Sequence, residues 1–194
     1  PGRKNLGPLD IQLATSRDGV KWNRVQRDPY VRLGPDGAFD DGSMYMGVGM
    51  FIKGPEIWMY YVANDYLHGH MNVRTTRYSG VISRVVQRLD GFVSADAAYT
   101  GGELTTIPIV FDGRELSLNV DTGAMGEVRV EVLDKAGHIM PGFSAKESDA
   151  LNGNYIDRTV TWKGKKDLSR LAGQVVRLRF VMRAAKLYAF QFGD

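Results

Sequence analysis

Period-two alternation of apolar and polar residues is the feature of this chain that most restricts its fold. Leu116, Leu118 and Val120 alternate with Ser117 and Asn119, and Val128, Val130 and Val132 alternate with Arg129 and Glu131. A third run sets Val176, Leu178, Phe180 and Met182 against Arg177, Arg179 and Val181. Successive side chains of a strand point to opposite faces, so each run describes a strand with one apolar face and one largely polar face. Thr159–Trp162 and Leu187–Phe192 add two more, the second with Tyr188, Phe190 and Phe192 on one side. Turn residues at Asp112-Gly113, Asp121-Thr122-Gly123, Lys135-Ala136-Gly137 and Asn152-Gly153-Asn154 separate the runs. Helical signals are confined to Asp167–Leu171, where Asp167 is placed to cap one turn and Gly173 to end it.

Short strands at this spacing predict an all-β chain whose second half, residues 89–194, is an antiparallel β-sandwich. Residues 1–88 have a different texture. Asp10–Thr15, Ser43–Phe51, Glu56–Ala63 and Val81–Gln87 read as strands, the middle two joined by Ile52-Lys53-Gly54-Pro55. The boundary is expected at Arg88-Leu89-Asp90-Gly91. The 23 glycines are spread along the chain, which suits a fold with many tight turns.

Composition excludes several classes of function. Hydrophobic residues make up 43% and charged residues 24%, as in ordinary globular proteins. No apolar run approaches the roughly 18 residues of a membrane-spanning helix, so no membrane partner is expected. The net charge of +3 comes from basic residues scattered among acids. Only Lys163-Gly164-Lys165-Lys166 forms a cluster, so no nucleic-acid partner is expected. With no cysteine there are no disulfides, thiolate nucleophiles or zinc–thiolate sites. No phosphate-binding glycine loop, dinucleotide fingerprint or nucleophile elbow occurs, and no cofactor is expected. The opening Pro1-Gly2-Arg3-Lys4, without an initiator Met, reads as a processed or excised piece.

Four segments concentrate groups able to do chemistry. In Ser16-Arg17-Asp18-Gly19-Val20-Lys21-Trp22, Asp18 is expected to accept backbone amides within a turn, and Trp22 to fill the space between strands. Asp40 and Asp41 lie in a loop before a strand. Neighbours on a strand point apart, so they make a poor acid/base couple, and the readings are contact with a sugar hydroxyl, a place lining a propeller axis, or a solvated turn. Glu56 reads as an exposed hairpin-tip residue. Asn64-Asp65-Tyr66-Leu67-His68-Gly69-His70 follows a strand and gathers groups that donate to and accept from hydroxyls. The candidate ligand-binding residues are therefore Asp40, Asp41, Asp65, Tyr66, His68 and His70. Two His with Asp65 nearby lack a firm third ligand, so no metal is assigned. Tyr155, Trp162 and Tyr188 are candidates for a sugar-binding aromatic row, or for core.

Several of these stretches, in order, resemble one family. Leu13–Trp22 is similar to a late propeller blade of proteins related to glycoside hydrolase families 32 and 43. Arg88–Ser94 is similar to the segment by which such chains leave the propeller. Gly101–Thr106, Leu116–Asp121, Gly126–Glu131, Gly137–Ser144 and Leu187–Phe192 resemble their appended β-sandwich. The resemblance implies a five-bladed propeller with a central carbohydrate site, followed by a sandwich. Residues 1–88 would then be partial propeller-like blade strands, at most two blades of roughly 40–50 residues. The family's catalytic carboxylates come largely from early blades that this chain lacks. No catalytic residue is thereby assigned, and the chain by itself is expected to be inactive. The implied partners are carbohydrate together with the missing blades or another chain, in an extracytoplasmic setting. The rival readings are a non-catalytic carbohydrate-binding module and a structural or interaction domain.

Overall fold

The computed structural model describes residues 7–69 and 77–194; the chain is all-β, and the described residues form two sheets. It divides into two compact units, Pro1–Gln87 and Arg88–Asp194.

The first unit is organised by the strands β1 (Ser43–Met46), β2 (Phe51–Lys53), β3 (Glu56–Asn64) and β4 (Val81–Arg88). β2 and β3 form a hairpin through Gly54, whose φ of 58° favours a residue without Cβ. β1 and β2 pair with successive stretches of β3: Met46 faces Tyr61, then Phe51 faces Trp58. The surplus residues between them are accommodated at Gly47, where an added Cβ would lie 2.9 Å from the Tyr60 carbonyl oxygen. Along β3, Ile57, Met59, Tyr61 and Ala63 are buried while Tyr60 and Val62 are exposed. The core is small: Ile11, Met44, Tyr61 and Ala63, with Tyr30, Val31, Leu33, Phe39, Met46 and Val85 against them.

Asp10–Thr15 forms isolated pairings, Ile11 with Val31 and Thr15 with Asn23, and not a sheet strand. The turn between Thr15 and Asn23 has the expected Asp18 chemistry. Its Oδ1 accepts the Val20 and Lys21 amides at 2.9 and 2.8 Å, which holds its carboxyl below the usual range, Lys21 contributing most. Trp22 departs from expectation. It is 63% exposed and folds back on its own turn, its indole N–H donating to the Gly19 carbonyl at 3.2 Å.

The second unit contains β5 (Ala95–Ala97), β6 (Gly102–Thr105), β7 (Glu115–Leu133), β8 (Asn154–Thr159) and β9 (Arg177–Gly193). They form one antiparallel sheet in the order β5-β9-β7-β8, with β6 also on β9. The turn expected at Asp121–Gly123 is instead a bend inside β7. The β7–β9 ladder runs from Glu115↔Gly193 to Leu133↔Arg177 and shifts register between Thr122 and Glu127. At the bend an added Cβ on Gly126 would lie 2.3 Å from the Ala184 carbonyl oxygen, so the two backbones can approach only at glycine. Ala184 opposite has a φ of 43°.

The bend curls the single sheet so that both of its halves feed one core. The half of the ladder carrying β5 and β8 contributes Leu116, Leu118, Val120 and Leu187. The half carrying β6 contributes Val128, Val130, Val132, Leu178, Phe180 and Met182, and all ten enter the same core. Trp162 belongs to it too, buried with its indole N–H donating to the Val130 carbonyl at 2.8 Å. Phe192 stacks on Phe111 with ring centroids 3.9 Å apart, whereas Phe190 is exposed. The expected single turn is a 3-10 turn at Ser169–Leu171, where Asp167 accepts the Ser169 amide at 3.0 Å. Arg88, the first residue of this unit, is a polar anchor. Its guanidinium donates to Asn119 Oδ1 (3.0 Å), Asn154 Oδ1 (2.9 Å), and the carbonyls of Tyr155 (2.8 Å) and Val120 (3.3 Å).

Glu147 clips two loops together. Its carboxylate accepts Lys163 Nζ and Ser144 Oγ, both at 2.9 Å. The Lys163 bond first, then the Ser144 bonds, hold its pKa down at about 2 against an ordinary 4.5. Because the folded value is the lower one, this stabilisation is complete above pH 4.5 and disappears as pH falls through about 2. An NMR titration of the Glu147 carboxyl should give a midpoint near 2, and Lys163→Ala should return it toward 4.5. An unchanged midpoint in that variant would show that the clip is not formed in solution.

Candidate functional site

Antiparallel pairing of β1 with β3 sets Ser43 opposite Asn64. The loop before β1 and the loop after β3 therefore leave the same end of the sheet. That register brings Asp40 and Asp41 to the neighbourhood of Asp65, Tyr66 and His68. Contact is close because residue 42 is glycine: an added Cβ would lie 2.4 Å from the Tyr66 nitrogen. Ser43, fully buried, donates its hydroxyl to the Tyr66 carbonyl at 2.8 Å, and the His68 amide donates to Gly7 at 2.9 Å. His70 lies outside the described residues.

The side chains serve two faces of the sheet. Tyr61, on the buried face, donates its hydroxyl to Asp40 Oδ2 at 3.0 Å. Burial raises the Tyr61 pKa, and the Asp40 carboxylate adds to the effect. Tyr45, on the exposed face, shares a hydrogen bond with His68 Nδ1 at 2.7 Å, their rings tilted at 53°. That contact orients the imidazole through Nδ1.

Two carboxylates have one oxygen occupied. Asp41 Oδ2 accepts the Gly37 amide at 2.6 Å, and Asp65 Oδ2 accepts those of Arg77 and Tyr78 at 2.7 and 2.8 Å. The other oxygen of each is buried and without a hydrogen-bond partner among the described residues. A buried acceptor without a donor is costly. Tyr66 adds a phenol that shares a 3.4 Å contact with Ser79.

The cluster gathers carboxylates, an imidazole and a phenol, all groups able to hydrogen-bond hydroxyls. Asp40 and Asp41 engage different partners, Tyr61 and the Gly37 amide. Among the described residues no three His, Asp or Glu side chains group as a metal site. Sequence reasoning missed Tyr45 and Tyr61, which read only as strand aromatics; a hydroxyl-bearing ring at a core position of β3 was the available signal for Tyr61. Glu56 accepts the Trp58 indole N–H at 2.8 Å, so it is tied to its own strand. The proposed aromatic row does not form: Trp162 is core, Tyr155 donates to the Asn152 carbonyl, and Tyr188 lies under Arg88.

In comparison with curated proteins, the chain is similar to the A type blood N-acetyl-alpha-D-galactosamine deacetylase of Flavonifractor plautii. Identity is 24% over 138 residues, which cover 64% of this chain and 18% of that protein. The likeness is to a carbohydrate-modifying enzyme. This chain therefore spans less than a fifth of the relative's length. No family model and no solved structure matches the chain.

Proposed function

We propose that this chain is the carbohydrate-recognising, all-β portion of a larger carbohydrate-active protein, with the Asp41–Asp65–Tyr66–His68 cluster as the sugar contact and the Arg88–Asp194 unit as a supporting module. The observation that carries this reading is the similarity to a carbohydrate-modifying enzyme over 64% of the chain. The glycosidase-like resemblance and the deacetylase likeness agree on a sugar substrate and differ in the bond cleaved, a glycosidic C–O in one and an amide in the other. The glycoside hydrolase-like parent is the reading that the order of the sequence motifs supports. A second reading, a binding module without chemistry, is favoured by the carboxylates themselves, since Asp41 and Asp65 each spend an oxygen on backbone amides.

The test is a glycan array probed with the folded chain and its His68→Ala variant. Retention on a defined set of glycans is expected, N-acetylgalactosamine-terminated ones among them. Loss of the imidazole contact should weaken it about tenfold, the equivalent of one hydrogen bond. A folded chain retained by no glycan would overturn the proposal in favour of a structural or interaction domain.

A further inference from the structure

The second unit carries a pocket that the proposed function leaves unused. It has a volume of about 690 Å³, within the range of small-molecule sites. Three turns wall it. The Met140–Phe143 turn is pinned at both ends to Val132, whose carbonyl accepts the Met140 amide at 2.9 Å and whose amide donates to Phe143 at 3.1 Å. The Trp162–Lys165 turn is closed by reciprocal backbone bonds of 2.8 and 3.0 Å, with positive φ at Lys163 and Gly164. The 3-10 turn at Ser169–Leu171 forms the third wall. Glu147 braces the second wall through Lys163, and Asp149 through the Gly164 amide at 2.8 Å. The frame is formed before any ligand arrives, which spares a ligand the ordering cost.

The lining combines an apolar floor with a basic rim. Phe143 meets the buried Trp162 edge-on at 5.1 Å, and half-buried Met140 lies beside it. Lys165, Lys166 and Arg170 stand at the rim with a single carboxylate, Asp167. Lys166 is paired with Glu115, and Asp167 with Arg114 at 3.7 Å. Lys165 and Arg170 have no ion pair among the described residues. The pocket therefore holds two uncompensated positive charges above an apolar surface. A neutral sugar uses only the floor, whereas a sugar bearing a carboxylate uses both.

We propose that this pocket binds an acidic saccharide, its carboxylate drawn to Lys165 and Arg170 and the apolar face of its ring set against Phe143 and Met140. The choice of a saccharide rests on the carbohydrate reading above; the preference for an anion rests on the rim.

Calorimetric titration of the whole chain tests it, with a glucuronic acid-containing disaccharide, the matching all-glucose disaccharide and benzoate as a carboxylate without a sugar ring. The acidic disaccharide should bind saturably and at least tenfold more tightly than either comparison, and added salt should weaken it. The double variant Lys165→Ala/Arg170→Ala should lose about tenfold in affinity with its unfolding midpoint unchanged, since both side chains are exposed. His68→Ala should leave this binding intact. Equal affinity for the neutral disaccharide or benzoate, no binding of the acidic one, or indifference to the double variant would each overturn the proposal. Retention of neutral glycans through His68 alongside no acidic binding would remove this pocket's role and leave the proposed function standing.

Discussion

Truncating Phe180 to alanine is expected to lower the unfolding free energy of the Arg88–Asp194 unit by about 4 kcal/mol. Phe180 is completely buried, sits opposite Val130 in the ladder with Leu104 on its other side, and contacts the Phe190 ring at 5.5 Å. The loss combines the burial of a large aromatic with the void left behind. That void is poorly refilled because the neighbours include Val128, Val130 and Val132, whose branched side chains have few rotamers to move into. Domains of this kind have stabilities of roughly 5–15 kcal/mol, so the variant should stand near the edge of folding. Urea denaturation followed by NMR signals of the second unit measures the effect. Phe190→Ala, at a side chain that is exposed, is the comparison and should cost about 1 kcal/mol or less. Equal losses at the two positions would show that the bent ladder does not enclose the core described here.

Replacing Arg88 by alanine is expected to cost about 3 kcal/mol. One guanidinium joins Asn119 and Val120 of β7 to Asn154 and Tyr155 of β8, and lies 4.2 Å over the Tyr188 ring of β9. Its removal leaves two carbonyls and two amide oxygens without their donor. It also frees Asn119, whose own amide donates to Leu89 at 2.6 Å. A lysine has the charge but not the planar fork, so Arg88→Lys should recover less than half of the loss. Urea midpoints of the two variants against the parent decide the matter. A loss under about 0.5 kcal/mol in the alanine variant would reduce Arg88 to an ordinary surface pair.

The long strands β7 and β9 were legible because burial there follows the alternation closely, whereas β5 and β8 carry no such pattern and the expected strand Thr159–Trp162 meets β8 only at Thr159. Leu116, Leu118, Val120, Val128, Val130, Val132, Leu178 and Phe180 are all buried. What alternation does not encode is whether a chain reverses or merely bends at a glycine. Asp121-Thr122-Gly123 has turn chemistry, but Glu127 resumes pairing with the same partner strand, so the run continues as β7. Trp22 and Trp162 show the same limit. Indole burial depends on long-range neighbours, and the two side chains differ from 63% to 3% exposed. At the candidate site, Asp40 and Asp65 could be singled out by type, while their roles depend on remote partners. Asp65 is held by amides twelve and thirteen residues further on, and Asp40 by a tyrosine twenty-one residues away. The pocket was out of reach altogether, because its three walls come from separate turns.

The central place of β9 also sets the order in which this unit can assemble. β5 and β6 have β9 as their strand partner, and β7 depends on it along its whole length. β9 is the last of these strands in the chain. A ribosome adding roughly 5–20 residues per second thus releases β5, β6 and β7 well before their partner exists. Pairs as distant as Ala95↔Leu187 then close only at the end, a topology associated with folding in milliseconds to seconds. During that wait the valine-rich edges of β7 are the surface a nascent chain must keep from its neighbours.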